Sequence, residues 1–218
     1  MSFNIPLSDK LKALNSTFES KFIIFEPINF ESLLDAQLIV DLRSRESDNF
    51  LRPSSRDLNT QVTYLANYFK RNQLNKEIYY KLMDKTKKDY NGLVRLTELN
   101  RKNVFNWESL VFSENCSPMA PIDVMISIYK IGFEFLNRSK CGPWDVNKKH
   151  EKMMKIHEFC KMFSIEDTND EYYQISVNKR DYLSQINRFD KLGLGKVNLI
   201  WKNMLKLWKM MELLYGMG

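Results

Sequence analysis

The chain has 218 residues and a mass of 26.0 kDa, is 44% apolar and 13% aromatic, and carries 33 Lys and Arg against 27 Asp and Glu, for a net charge of +6 and a pI near 9.1. That apolar content is enough to bury a core, which excludes intrinsic disorder, and no run reaches the roughly 18 uninterrupted apolar residues that a bilayer span needs. Seven glycines disfavour enzymes built on glycine-rich loops, because phosphate loops and nucleophile elbows need φ > 0 or close backbone approach.

Helical spacing dominates the chain. Leu7, Leu11, Leu14 and Phe18 predict an amphipathic helix from near Ser8 to about residue 20. The apolar run around Pro27 reads as a buried connector, and a second helix from Asn29 or Phe30 to about Arg43 carries Phe30, Leu33, Leu34, Leu38 and Leu42. Ser54 with Asp57 resembles a capping box, and Leu58, Val62, Leu65 and Phe69 form a stripe to about Arg71. Leu74, Ile78 and Leu82 predict a shorter helix from Asn75 to the mid-80s. Asn91-Gly92 reads as a turn before helices through Leu93, Leu96 and Leu99 and through Trp107 and Leu110.

Pro121 suits a helix's first turn, and between Ile122 and Leu136 the polar residues Asp123, Ser127, Lys130 and Glu134 form so narrow a stripe that this helix belongs at the centre of the core. Cys141-Gly142-Pro143 reads as a turn, with a helix from Asp145 to about Phe163. The stretch EYYQISV is the best strand candidate. Further helices are predicted from Asn178 to about Phe189 and from Lys196 to Tyr215. The expectation is all-α: a single domain, 1–218, of about eight or nine helices with at most a minor strand, whose last helix, 196–215, is exchangeable between subunits.

The whole charge excess sits in one segment. Between residues 70 and 102 stand Lys70, Arg71, Lys76, Lys81, Lys85, Lys87, Lys88, Arg95, Arg101 and Lys102 against four acids, leaving 23 basic and 23 acidic residues elsewhere. Tyrosines interleave with these cations, Tyr68, Tyr79 and Tyr80 among them. Cations spaced along a backbone, with aromatic faces for stacking, point to nucleic acid and favour single-stranded RNA. A solvated helix face is the competing reading. The last helix carries Trp201, Met204, Trp208 and Met211 beside a basic stripe, the pattern of a helix packed in its own core, docked on a partner or lying on a membrane surface.

Catalytic and metal signals are weak. His157 and Cys160 share a helix face, but a zinc site would need two more ligands, with Cys141 the nearest, and core packing is the better reading. Phosphate-loop, nucleophile-elbow, HExxH and dinucleotide motifs are absent. Three cysteines without a pairing pattern and a start, MSFNIPLSDKLK, unlike a signal peptide lead us to expect a reducing intracellular location, cytoplasmic or, if viral, in the virion. The sequence therefore predicts a non-enzymatic, nucleocapsid-like, homo-oligomeric nucleic-acid-binding protein without cofactor or metal. A helical adaptor acting through residues 196–215 is the alternative.

Overall fold

A computed structural model describes residues 6–50 and 55–197. Its elements in chain order are α1 (Leu7–Leu14), β1 (Phe18–Glu19), β2 (Ile23–Pro27), α2 (Leu33–Phe50), α3 (Leu58–Gln73), β3 (Ile78–Asp84), β4 (Asp89–Thr97), β5 (Val104–Phe112), α4 (Ala120–Lys130), β6 (Lys140–Asn147), α5 (Glu151–Cys160), β7 (Phe163–Thr168), β8 (Tyr172–Asn178) and α6 (Lys179–Lys191). A π-helical turn, Ile131–Phe135, continues α4. The strands form one eight-stranded mixed sheet in the order β1-β2-β3-β4-β5-β6-β8-β7. The all-α expectation is thus wrong.

The physical reason is burial on both faces. Strands β3 and β4 are covered by helices above and below, so nearly every residue of Ile78–Asp84 and of the second half of β4 is buried. Such strands lose the polar–apolar alternation that marks a half-exposed strand. Leu74, Ile78 and Leu82 then mimic a helical stripe by coincidence, and the Asn91-Gly92 pair lies inside β4 rather than in a turn. Trp107 and Leu110 lie on β5, and the helix expected from Asp145 is β6 followed by α5. Helices α3, α4 and α6 stand close to where periodicity placed them, and β8 is the strand expected at EYYQISV. Asp57 caps α3, accepting from Thr60 N at 2.7 Å.

Helices α2 and α3 cover one face of the sheet through a cluster that includes Ala36, Ile39, Leu65, Tyr68, Tyr79, Leu93 and Val111. On the other face α1, α4, α5 and α6 share a larger core with residues such as Leu14, Tyr80, Phe105, Val124, Tyr129, Phe133 and Phe189. The result is a three-layer α/β/α arrangement. Among the described residues no helix is long and apolar enough to cross a membrane. Residues 198–218 lie outside the described residues, and with them Trp201, Met204, Trp208 and Met211.

One joint in the sheet differs from the others. Strands β5 and β6 run parallel and share two rungs, Val104 with Lys140 and Phe105 with Cys141. Just past them each strand takes in an extra residue. On β5 the partner shifts from Val111 opposite Leu93 to Glu108 opposite Arg95, with Ser109 in the left-handed region at φ 56°. On β6 the shift falls between Cys141 and Trp144, where Gly142 has φ 90°. A Cβ at Gly142 would overlap the Trp144 ring and approach Ile175 O to 3.0 Å, so glycine is required. Bulges bend strands and end pairing, and two of them on facing strands open the sheet.

Candidate functional site

A cleft of about 720 Å³ occupies this opening. Asn106 to Leu110 of β5 form one wall and Pro143 to Asn147 of β6 the other. Ile39, Arg43 and Tyr64 reach it from the α2–α3 face, and His150 and Met153 from α5 on the opposite side. The cleft therefore passes between the strands from one face of the sheet to the other. Beyond the last rung the facing strand edges share no ladder bond; the Asn106 side chain stands between them, accepting from Trp107 N at 2.8 Å and donating to Pro143 O at 3.2 Å.

Its polar centre is Arg95. The guanidinium pairs with Glu108, donates to the Tyr64 hydroxyl oxygen at 2.5 Å and stands 3.8 Å from Glu77, which is itself held by Arg71 at 2.8 Å. Burial alone would push the Arg95 pKa down, but Tyr64, Glu108 and Glu77 together raise it. Thr97 Oγ1 donates to the second Glu108 oxygen at 3.4 Å, and Arg43 donates to Ser109 Oγ at 3.0 Å, tying α2 to the β5 bulge. His150 caps α5, its Nδ1 accepting from Met153 N at 3.4 Å. Burial first, and then the Lys152 charge, lower its pKa below the ordinary 6.5. With Nδ1 accepting from Met153 N, Nε2 is the ring nitrogen that can donate.

Beneath the opening, Trp107 of β5 and Trp144 of β6 meet across it with ring centroids 5.0 Å apart, and His157 of α5 lies 6.2 and 5.8 Å from them. The His157 ring is 1% exposed, and burial, with His150 adding a little, pushes its pKa down to about 4. Trp107 Nε1, Trp144 Nε1 and His157 Nε2 are buried without a hydrogen bond of good geometry, an arrangement that native cores seldom tolerate unless water or ligand completes it. Cys141 and Cys160 are buried beside Tyr129, and burial raises both thiols, Cys160 to about 12. These are inert core cysteines, not nucleophiles.

The segment 70–102 is spread over both ends of a hairpin rather than along one groove. Lys70, Arg71 and Lys76 lie near the start of β3 with Arg101 and Lys102, whereas Lys85, Lys87 and Lys88 form the opposite tip, about 20–25 Å away along seven residues of strand. Several cations are already paired: Lys85 with Glu19 at 2.7 Å, Arg101 with Glu98 at 3.4 Å and Lys81 with Asp35 at 2.8 Å and Glu26 at 3.0 Å. Tyr68, Tyr79 and Tyr80 are buried and cannot stack on bases. Of the ten cations only Arg95 belongs to the cleft. Sequence reasoning passed over Glu108 and Trp144, and weighed His150 only as a metal ligand too far along its helix from Cys160. The usable signal was Gly142-Pro143-Trp144, since glycine and proline within a strand mark a bulge.

No family model matches the sequence, and no curated protein matches it. Solved structures do match in fold. Apo FdhC, described as a nucleotide-linked sugar GNAT, superposes with a TM-score of 0.70 at 21% identity, over 83% of this chain and 99% of that one. A GCN5-related N-acetyltransferase from Brucella melitensis gives 0.63 at 13%, over 81% and 85%. The N-acetyltransferase PseH of Campylobacter jejuni, in complex with acetyl coenzyme A, gives 0.54 at 16%, over 72% and 98%. The architecture is that of the GCN5-related N-acetyltransferases, and at these identities the likeness is one of fold. It overturns the nucleocapsid-like, non-enzymatic expectation. Of the cations that carried that expectation, Arg71, Lys81, Lys85 and Arg95 brace the mixed sheet through ion pairs.

Proposed function

We propose that the chain is an N-acyltransferase that brings an acyl donor and a polar, amine-bearing acceptor together in the opening between β5 and β6. The observation that carries this reading is the cleft running through the sheet, open to the α2–α3 face and to α5, so that two reactants can enter from opposite sides and meet. Its volume lies within the ~300–1,000 Å³ usual for small-molecule sites. The fold shared with N-acetyltransferases supports the reaction class. On the α2–α3 side the wall is cationic and aromatic, with Arg43, Arg95 and Tyr64, while Trp107 and Trp144 lie toward α5. Such a wall suits a sugar or nucleotide-linked sugar, the substrate class named for FdhC.

Glu108 is the residue assigned to the acceptor amine. It stands where β5 turns outward at the bulge, is 44% exposed, and is fixed by Arg95, so it can orient an ammonium or amine group toward the opening. His150, a donor at Nε2, faces the same space from α5 and can hold a carbonyl oxygen. Acetyl coenzyme A, the ligand named for PseH, is the donor that the fold implies. Its amide-bearing arm suits the two strand edges that part beyond the last rung, where it would take over the bonds that the Asn106 side chain makes, in the manner of an added strand. The direct test is thiol release on mixing the protein with an acyl thioester and a panel of amines that includes nucleotide-linked amino sugars. Glu108→Gln is expected to lower that rate about 100-fold with the far-UV circular dichroism unchanged. Full activity in the variant removes Glu108 from the site, and no turnover with any amine overturns the reading.

A further inference from the structure

We infer that Gln61 selects the acceptor: its side-chain amide donates to an oxygen that the substrate carries beside its amine, so that hydroxylated amines such as amino sugars are taken and alkyl polyamines are refused. The inference rests on the acyl-transfer reading and narrows it to the acceptor.

Helix α3 turns Gln61, Leu65 and Tyr68 inward, at the i, i+4 and i+7 spacing of one helix face. Leu65 and Tyr68 pack in the core that joins α2 and α3 to the sheet. Gln61 is nearly as deep, at 6% exposed, yet it is polar and it also lines the cleft. An amide in that register forgoes the apolar packing that a leucine would give. Its Nε2 has no hydrogen-bond partner either, and native structures seldom leave a buried donor unmade without a use for it. A break in the local rules of a helix, placed at the wall of a cleft, marks a residue kept for a ligand.

The neighbours of Gln61 have the same bias. Tyr64, on the next turn and on the same wall, accepts from Arg95 Nη1 at 2.5 Å through its oxygen, which leaves its hydrogen to give. Arg95 Nε is buried without a partner as well. Amide, hydroxyl and guanidinium on one wall therefore all have hydrogens to give. The carboxylate among them is Glu108, which keeps lone pairs for an amine after Arg95 and Thr97 have bonded to it.

Donors on the protein call for acceptors on the ligand. Hydroxyl, ring and carbonyl oxygens of a sugar accept, whereas a protonated polyamine has ammonium hydrogens and no lone pair to offer. A polyamine held at Glu108 would leave the Gln61 amide and Arg95 Nε unbonded and would set like charge beside the Arg95 guanidinium. An amino sugar held there by its amine brings oxygens to both. The terminal torsion of a glutamine is broad, so the amide can turn to meet one of them.

The test compares three amines with one acyl thioester on the full-length protein. They are the amino sugar of the panel that turns over fastest, cyclohexylamine, which carries its amine on a ring without oxygens, and spermidine. In the wild type, kcat/KM is expected to favour the amino sugar over either of the others by about 100-fold. In Gln61→Leu that ratio is expected to fall about tenfold, and the dissociation constant of the amino sugar, read from quenching of tryptophan fluorescence, to rise by the same factor. The melting temperature of this variant should be equal or higher by about 2–4 °C, because leucine suits the buried register better than an unbonded amide. Gln61→Glu keeps a polar side chain but, once ionised, has no hydrogen to give, and should lower the same ratio. A wild-type ratio in either variant, or loss of folding in both, assigns the amide to the fold alone and overturns the inference. Wild-type turnover of spermidine as fast as that of the amino sugar also overturns it and leaves acyl transfer standing. If no amine is turned over, the acyl-transfer reading falls and takes this inference with it.

Discussion

The strands on either side of the opening are built to different rules. Strands β2 to β5 pair through long antiparallel ladders and are sandwiched between helices, so that β3 and β4 are buried on both faces. Strands β6 to β8 form a lighter arm whose outer strand, β7, is exposed over Glu166 and Asp167 and is held partly by polar links, Lys140 to Glu166 at 2.5 Å and Ser176 to Glu166 at 2.6 Å. Two rungs and a plug of aromatic rings join the arm to the body. Long ladders and two-faced burial favour stability in the body, and the cleft lies where the sheet has only two rungs to give up.

The sharpest way to break that contrast is at the joint. Phe105 lies on the last rung, is 0% exposed, and packs edge-on against Phe133 at 5.3 Å, with Gly132 so close that a Cβ there would overlap its ring. Phe105→Ala is expected to cost about 3–5 kcal/mol in chemical denaturation. A loss below 1 kcal/mol would mean that body and arm do not depend on this contact.

Protonation attacks the same joint from the arm's side. In the unfolded chain His157 titrates near 6.5, whereas in the fold burial lowers it to about 4. Between these values the unfolded state binds more protons, so the contribution is complete above pH 6.5 and is lost as the pH falls toward 4. The loss is about 3 kcal/mol. Denaturation curves at pH 7 and pH 4.5 measure it, and His157→Gln should flatten the part of the slope that this ring supplies. An unchanged slope in the variant assigns the acid sensitivity elsewhere.

Within the body, Lys81 marks how the α2 face is pinned. Its ammonium reaches Asp35 on α2 and Glu26 on β2, and lies 4.7 Å over the Tyr90 ring, whose hydroxyl donates to Glu26 at 2.5 Å. Lys81→Met leaves the buried Asp35 carboxylate without its cation, and a loss of about 2 kcal/mol is expected. Restoring stability with Asp35→Asn in the same chain would show that the pair, and not the packing of the lysine stem, is responsible.

The contrast between body and arm also explains what could be read from the sequence. Helices with one wet face, α3 with its Leu58–Leu65 stripe and α6 with Tyr182, Ile186 and Phe189, kept the 3.6-residue pattern and were legible. So was β8, because Tyr-Tyr-Gln-Ile-Ser-Val combines β-branched and aromatic residues in a half-exposed strand. Strands β3 and β4 were not, since burial on both faces removes the alternation that periodicity detects, and on β5 the alternation of Phe105 and Trp107 is cut short at the bulge. The cleft was almost illegible. Arg95 entered the reading as one basic residue among ten, with nothing in the local sequence to separate a cation fixed by Glu108 and Glu77 from the solvated ones. Trp107 and Trp144, 37 residues apart, come together only through two rungs of parallel pairing, a contact that local patterns do not encode.

The smallest expected effect lies on the arm and carries the opposite sign. Helix α5 ends at Lys161, whose backbone is left-handed at φ 54° while its N–H bonds to His157 O. That conformation costs a non-glycine residue about 1 kcal/mol, and glycine removes most of the strain while adding freedom to the unfolded chain. The Lys161 side chain is exposed and adds no core packing. Lys161→Gly is therefore expected to stabilise the protein by about 0.5 kcal/mol. Because His157 sits one turn earlier on the same helix, firming this end should also slow amide exchange at residues 157–160 while leaving β3 and β4 unchanged. Slower exchange in β3 and β4 as well would show that arm and body open together, and that the two rungs couple them more tightly than their number suggests.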